Sequence, residues 1–192
     1  MKIGVLAIQG AFIEHKNCLE KLKIDTVLVK YKKQLDEIDG LIIPGGESTA
    51  ISIIANWKDE IQKFIAKNKP IWGTCAGIIL LANEVLDNKK FNNKIWGGLN
   101  CSVKRNFYGS QLMSFTTDLE YPKEFNKNGS FSAIFIRAPS IINAGKNTKI
   151  LLKYNNDIIA IQQNKLLGTT FHPELTDNLS WHQYFISLID NN

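Results

Sequence analysis

The residues best equipped for chemistry lie in Trp72-Gly73-Thr74-Cys75-Ala76-Gly77, after the apolar Pro70-Ile71-Trp72 and before the helix-compatible run Ile78-Ile79-Leu80-Leu81-Ala82. A strand that ends in G-x-C-x-G and opens a helix is the thiol form of a nucleophile elbow. Such a turn imposes an unusual backbone on the nucleophile, so the positions two before and two after must be nearly free of side chain, and both are Gly here. A thiol at a helix N-terminus feels the positive end of the helix dipole, which favours the nucleophilic thiolate. The reading is a covalent catalyst. Its local alternative is a buried structural Cys in a Gly-bounded turn.

Three further features could converge on Cys75. Phe171-His172-Pro173-Glu174 follows an apolar run, Leu166 to Thr170. Pro173 biases His172 away from helical geometry, and in extended chain residues two apart project to the same side. His172 and Glu174 could then serve as base and orienting carboxylate of a Cys-His-carboxylate triad. Otherwise His172 is only a turn residue before a proline. His15 and His182 each fall within an expected helix and read as surface histidines. Secondly, Pro44-Gly45-Gly46-Glu47-Ser48-Thr49 stands one strand-helix unit before the elbow. Its glycines allow a backbone amide to approach a reacting carbonyl, and the Ala76 amide could supply a second donor. The same stretch also reads as an ordinary loop with Ser48 as helix N-cap. It is not a P-loop, since G-x-x-x-x-G-K is absent. Thirdly, Arg105 and Arg137 each sit at a strand end, suited to holding a carboxylate or simply solvated.

The elements that must position these residues alternate at first. Strands are expected at Ile3 to Ile8, Thr26 to Val29, Gly40 to Ile43 and Pro70 to Trp72, with helices at Ala11 to Leu22 (Phe12, Leu19 and Leu22 inward) and at Ser48 to Phe64, interrupted near Asn56. That order predicts an α/β fold with a parallel sheet flanked by helices and ligands at the carboxyl ends of the strands. From about Leu99 the pattern shifts to shorter strands: Cys101 to Arg105, Leu112 to Thr117, Phe131 to Arg137, Ile150 to Tyr154, Ile158 to Gln163 and Leu166 to Phe171. A helix from about Asn178 to Ile189 should follow. The Asn/Lys-rich stretches Asp87 to Lys94 and Glu124 to Asn128 read as solvated loops.

Composition narrows the function classes. A chain of 192 residues with 44% hydrophobic content is expected to form one domain, residues 1–192. The net charge of +5 comes from scattered Lys without a basic block, so no nucleic acid is expected as a partner. Cysteines at 18, 75 and 101, with no C-x-x-C pair, argue against a disulfide framework and a zinc site, so no metal is expected. The thiols and the absence of a long apolar segment at the N-terminus point to a reducing, cytoplasmic location away from membranes. The glycosylation-type triplets at Asn100, Asn128 and Asn178 read as chance in an Asn-rich chain.

Taken together, GTCAG, the PGGES loop and the downstream HPE resemble the class I glutamine amidotransferases, whose triad is Cys, His and Glu. Within that class GVLAIQGAFIEH, PGGEST, GTCAG, RNFYG, FIRAP and FHPEL, in this order from the first residues to the C-terminal helix, resemble the glutaminase subunits of pyridoxal 5'-phosphate synthase complexes. The resemblance implies a three-layer, flavodoxin-like sandwich with a mixed, mainly parallel sheet. It implies hydrolysis of L-glutamine to glutamate and ammonia, no cofactor, and delivery of ammonia to a separate, multimeric synthase subunit. Carried onto this chain, it makes Cys75 the nucleophile, His172 the general base and later acid, and Glu174 its orienting partner. Gly46 and Ala76 would supply the oxyanion amides, and Gly46, Glu47, Ser48, Arg105, Ile136 and Arg137 the glutamine contacts. Gln9 would belong to the region facing the synthase and coupling docking to activation, so weak activity is expected without the partner. The chain departs from the family pattern at Ser110, where a basic residue is expected, and along 87–96. The alternatives are a glutaminase serving another synthase, such as that for imidazole glycerol phosphate, and a noncatalytic thiol-bearing module.

Overall fold

The computed structural model describes residues 1–105 and 114–190. The expectations that fall on Asn106 to Gly109 and Ser110, and the start of the strand expected at Leu112, lie outside these. In chain order the elements are β1 (Lys2–Leu6), α1 (Phe12–Lys21), β2 (Asp25–Val29), β3 (Gly40–Ile43), α2 (Ser48–Ile54), α3 (Lys58–Ala66), β4 (Ile71–Thr74), α4 (Ala76–Leu81), β5 (Ala82–Val85), β6 (Leu99–Lys104), β7 (Phe115–Glu120), β8 (Ser130–Phe135), β9 (Ser140–Ala144), β10 (Lys149–Tyr154), β11 (Asp157–Gln163), β12 (Leu166–Thr169) and α5 (Ser180–Asp190).

The main sheet runs β2-β1-β3-β4-β12-β11-β9-β6-β5, with β10 paired to β11, while β7 and β8 form a separate hairpin. β2, β1, β3, β4 and β12 are mutually parallel. β11 reverses direction against β12, and the β9 pairings are antiparallel too. The sheet is therefore mixed, with its parallel half carrying the elbow. Alternation along the strands feeds two cores. Leu41, Ile43 and Ile71 pack on one face with Ile51, Ile61 and Phe64 of α2 and α3. Ile42 and Trp72 pack on the other with Leu19 of α1 and Trp181 and Phe185 of α5. Successive strand residues point to opposite faces, so strands covered on both sides become continuous apolar runs.

Several expectations change. The helix expected over 48–64 is two helices, broken at Ala55 to Trp57. Ala82, counted with the elbow helix, opens β5 instead. β9 lacks a strong apolar run and was not expected; it is a strand because β6 and β11 pair with it on both sides. The 87–94 stretch is no plain solvated loop. Phe91 is buried, and the Asn92 side chain accepts from Val85 N–H at 2.7 Å and donates to Val85 O at 3.3 Å. Within 124–128, Phe125 stacks on Tyr184 with ring centroids 4.5 Å apart. Finally, α1 turns His15, Cys18 and Leu19 inward, with Leu22 only half-buried. His15 and His182, read as surface residues, are both fully buried.

Candidate active site

Sheet order brings the dispersed motifs together. β4 lies between β3 and β12, in register Ile43 with Gly73 and Thr74 with Thr169. The chain leaving each strand thus emerges at one carboxyl edge: the Gly45-Gly46 loop after β3, Cys75 after β4, His172 after β12. β1 is the next strand beyond β3 and delivers Gln9 and Gly10 to the same edge. The 97-residue separation of Cys75 and His172 collapses to one inter-strand step.

The elbow has the backbone its spacing requires. Cys75 adopts φ 46° and ψ −102°, a positive-φ conformation costing on the order of 1–3 kcal/mol that the packing around it must hold. Its N–H donates to Thr169 O at 2.9 Å, anchoring the turn to β12. A Cβ on Gly73 would lie 2.5 Å from the Gly77 carbonyl carbon, and one on Gly77 would lie 2.1 Å from Ile43 O. Both glycines are therefore demanded by close backbone approach. The Cys75 thiol faces Ile136 O at 3.8 Å.

Glu174 stands in a single 3₁₀ turn, Pro173–Leu175, just after His172. Its Oε1 accepts from His172 Nδ1 at 2.7 Å. His172 is anchored through its own N–H, which donates to Ile134 O of β8 at 2.8 Å. Burial alone would lower the His172 pKa. Hydrogen bonds and charge from Cys75 and Glu174 outweigh it and push the pKa up to about 10.

The Gly45-Gly46 loop is fastened from three sides. Gly45 N–H donates to Thr74 Oγ1 at 3.0 Å, Gly45 O accepts from Ala11 N–H at 3.0 Å, and Gln9 Oε1 accepts from Glu47 N–H at 2.6 Å. Gln9 therefore braces the loop. The helix cap is Glu47 in place of the expected Ser48: its carboxylate accepts from Thr49 N–H at 3.0 Å and Ala50 N–H at 2.7 Å. Partial burial would raise its pKa, but those amides and Arg105 hold it below the usual carboxylate range. Arg105 spans Glu47 Oε1 at 3.3 Å and Thr49 Oγ1 at 2.9 Å while its guanidinium lies over the Phe91 ring at 4.1 Å. The 87–94 stretch thus supports the cleft wall.

These groups line one cleft of ≈ 280 Å³, near the lower end of the roughly 300–1,000 Å³ range of small-molecule sites. Gly46, Glu47, Ser48, Cys75, Ala76, Arg105, Ile136, Arg137 and His172 all border it. Glu174 is buried behind His172, and Gln9 sits behind the loop. Arg137, like Cys75, has positive φ, 44°, where the chain turns out of β8. Gly45 of the glycine loop borders the cleft as well, as do Gly10, Ala11, Ile79 and Leu175, which were not expected there. No helix among the described residues is long and apolar enough to cross a membrane, and they hold no group of three or more potential metal-ligating side chains.

Comparisons with known proteins bear on the family and the fold. The chain is 49% identical over 195 residues to the pyridoxal 5'-phosphate synthase subunit PdxT of Thermoanaerobacter sp. (strain X514), an alignment covering 98% of this chain and 99% of that one. It is 44% identical over 192 residues to the PdxT of Thermotoga maritima, covering 98% and 100%. A crystal structure of a glutamine amidotransferase superposes with a TM-score of 0.90 at 38% identity, covering 98% of each chain, so the mixed, mainly parallel sheet flanked by helices is that of the class I glutamine amidotransferases. The model of the SNO glutamine amidotransferase family matches residues 5–191, and with a thiol elbow, His-Glu pair and glycine loop meeting at one sheet edge, the chain belongs to that family.

Proposed function

We propose that this single-domain chain is the glutaminase subunit of a pyridoxal 5'-phosphate synthase, hydrolysing L-glutamine and passing the ammonia to the synthase subunit. The observation that carries the chemistry is Cys75, held at positive φ and lining a cleft, with His172 lining it too and Glu174 bonded to His172 at 2.7 Å. Identity of 44 and 49% to PdxT subunits over nearly the whole chain favours this synthase over the imidazole glycerol phosphate alternative.

In the proposed cycle the Cys75 thiolate attacks the side-chain amide carbon of glutamine. The carbonyl π electrons move to oxygen, and the amides of Gly46 and Ala76 receive the oxyanion. The tetrahedral adduct collapses as His172 gives its proton to the departing nitrogen, releasing ammonia and leaving a γ-glutamyl thioester. Neutral His172 then takes a proton from water, whose oxygen attacks the thioester. A second collapse frees glutamate and restores the Cys75–His172 pair. Glu174 holds the imidazole in one tautomer throughout. Glu47, Ser48, Arg105, Ile136 and Arg137 contact the amino-acid end of the substrate, with Arg105 also bracing the loop through Glu47 and Thr49. Gln9, bonded to the Glu47 amide, connects the partner-facing region to the oxyanion loop.

The test is glutamate release from glutamine by the chain alone and with a pyridoxal 5'-phosphate synthase subunit, with Cys75→Ala as control. Stimulation by the synthase that disappears in the variant is expected. Turnover that survives Cys75→Ala would refute the nucleophile, and no turnover beside the synthase would refute the proposed partner.

A further inference from the structure

Behind the triad lies a buried polar cluster that the cycle above leaves unused. His15 on α1 and His182 on α5 are fully buried, and they meet edge-on against Trp72, 5.5 and 5.0 Å from its ring. His15 Nδ1 lies 3.0 Å from His182 Nε2. His15 Nε2 stands at a fork, 3.2 Å from Thr74 Oγ1 and 3.4 Å from Glu174 Oε2. That Oε2 is the half of the triad carboxylate not bonded to His172; it is buried with no hydrogen-bond partner, and His15 Nε2 stands beside it at ion-pair distance. An apolar pocket would be the cheaper way to pack α1 and α5 onto β4, since buried polar groups cost free energy unless paired.

The pairing selects the tautomers. Burial first, and then the neighbouring histidines His182 and His172, keep His15 well below the ordinary pKa, while burial pushes His182 down to about 3. Both are neutral, so each ring carries one N–H. If His15 carried it on Nδ1 and gave it to His182, the proton of His182 would sit on Nδ1, which is buried and has no acceptor. A bare lone pair would also face the Glu174 carboxylate. In the other arrangement His182 Nε2–H donates to His15 Nδ1, and His15 Nε2–H faces Glu174 Oε2 and Thr74 Oγ1. No N–H is orphaned, the Nε2–H bonds Thr74 Oγ1, and the buried carboxylate oxygen has an N–H rather than a lone pair beside it. Thr74 Oγ1 in turn accepts from the Gly45 amide, next to the proposed oxyanion donor Gly46.

We infer that His15, locked in its Nε2–H tautomer by His182, is a positioning residue that ties the Glu174 carboxylate and the Gly45-Gly46 loop into one rigid unit behind the catalytic pair. This rests on the glutaminase reading. Glu174 would otherwise be free to turn its single bonded oxygen away from His172, and Thr74 would hold the loop without a fixed neighbour of its own.

The experiment uses the full chain with its synthase subunit and measures kcat and KM for glutamine in wild type, His15→Met, His15→Gln, Glu174→Ala and the Met/Ala double variant. Met and Gln have the same length, but only Gln returns an N–H near the position of Nε2. His15→Met is expected to lower kcat about 10- to 100-fold with KM changed less than about twofold, as for coupled neighbours. His15→Gln should recover most of that loss. On the Glu174→Ala background the Met substitution should cost clearly less than it does in wild type, because its route through the carboxylate is gone and only the one through Thr74 remains. Full activity in His15→Met, equal impairment of Met and Gln, or a full additive loss on the Glu174→Ala background would each overturn the proposal. Iodoacetamide alkylation of Cys75 in the same variants reads the coupling without glutamine. Absence of glutamine turnover in wild type would sink the glutaminase reading alone, whereas alkylation rates unmoved by His15→Met would sink this one.

Discussion

Glu174 separates two regions that treat the same residue type in opposite ways. On the cleft side, His172 is flanked by the Cys75 thiol and the Glu174 carboxylate, and their hydrogen bonds and charge outweigh burial, so the imidazolium is favoured. On the core side, His15 and His182 are packed against Trp72 with no exposure, and burial wins, so both rings stay neutral. The difference teaches that a buried histidine's charge follows from which partners reach it and how much water is removed, not from burial alone. It also divides the labour. In the proposed cycle the cleft side moves protons, while the core side, on the inference above, holds one carboxylate oxygen and one loop in place.

The comparison breaks most sharply at the carboxylate itself. Glu174→Gln removes the charge and lets an amide NH2 face His172 Nδ1, selecting the wrong tautomer, and glutaminase kcat should fall on the order of 10⁴-fold, the scale found when the orienting carboxylate of a triad becomes an amide. The pH profile should change as well: the alkaline limb assigned to loss of the His172 proton should move down from its elevated position toward the ordinary histidine range. Steady-state kinetics across pH check both, and an unchanged kcat would remove Glu174 from the mechanism.

A smaller but still large effect is expected at the loop. A Cβ on Gly45 would lie 2.3 Å from His172 Cε1 and 3.2 Å from Cys75 Cβ. Gly45→Ala should therefore displace the cleft-side imidazole while leaving the His15–His182 side intact. A loss of about 100-fold in kcat, typical of a misplacement near 1 Å, with little change in thermal unfolding is the expected result. Near-normal turnover would show that the loop yields instead.

The smallest effect concerns acid stability, where the two regions differ in sign. Unfolded histidines near pKa 6.5 take up protons that folded His15 and His182 refuse, so their share of stability is present above about pH 6.5 and is lost as the pH falls below it. The limiting slope is about 1.4 kcal/mol per pH unit for each. For His172, with its raised pKa, stability is fully present below pH 6.5 and fades as the pH rises through about 10. His182→Gln, which keeps a donor for His15 but does not titrate, should flatten the fall in urea-unfolding free energy between pH 6.5 and 5. An unchanged slope would mean that His182 is not held neutral.

Much of the site was legible because its signals are local. G-x-C-x-G demands a turn that admits almost no side chain on either flank, and the close backbone approaches at Gly73 and Gly77 show why. Pro173 sets the path after His172, and the continuous apolar runs of β1, β3 and β4 announce strands buried on both faces. One tertiary signal was available too. His15 lies three residues after Phe12 and four before Leu19, on the inward face of α1, which already placed it against the core. What the chain's order could not state was proximity. The pairing of β12 with β4, the reversal at β11 and the inclusion of β9 are decided by which edges find partners across long sequence separations. The same assembly turned Glu47 into a helix cap and Phe91 into a stacking surface for Arg105, and it brought two helical histidines beneath one carboxylate. Residue types and spacing thus determined the kinds of chemistry available, whereas burial and partner geometry, which exist only in the folded chain, decided the charge each histidine carries.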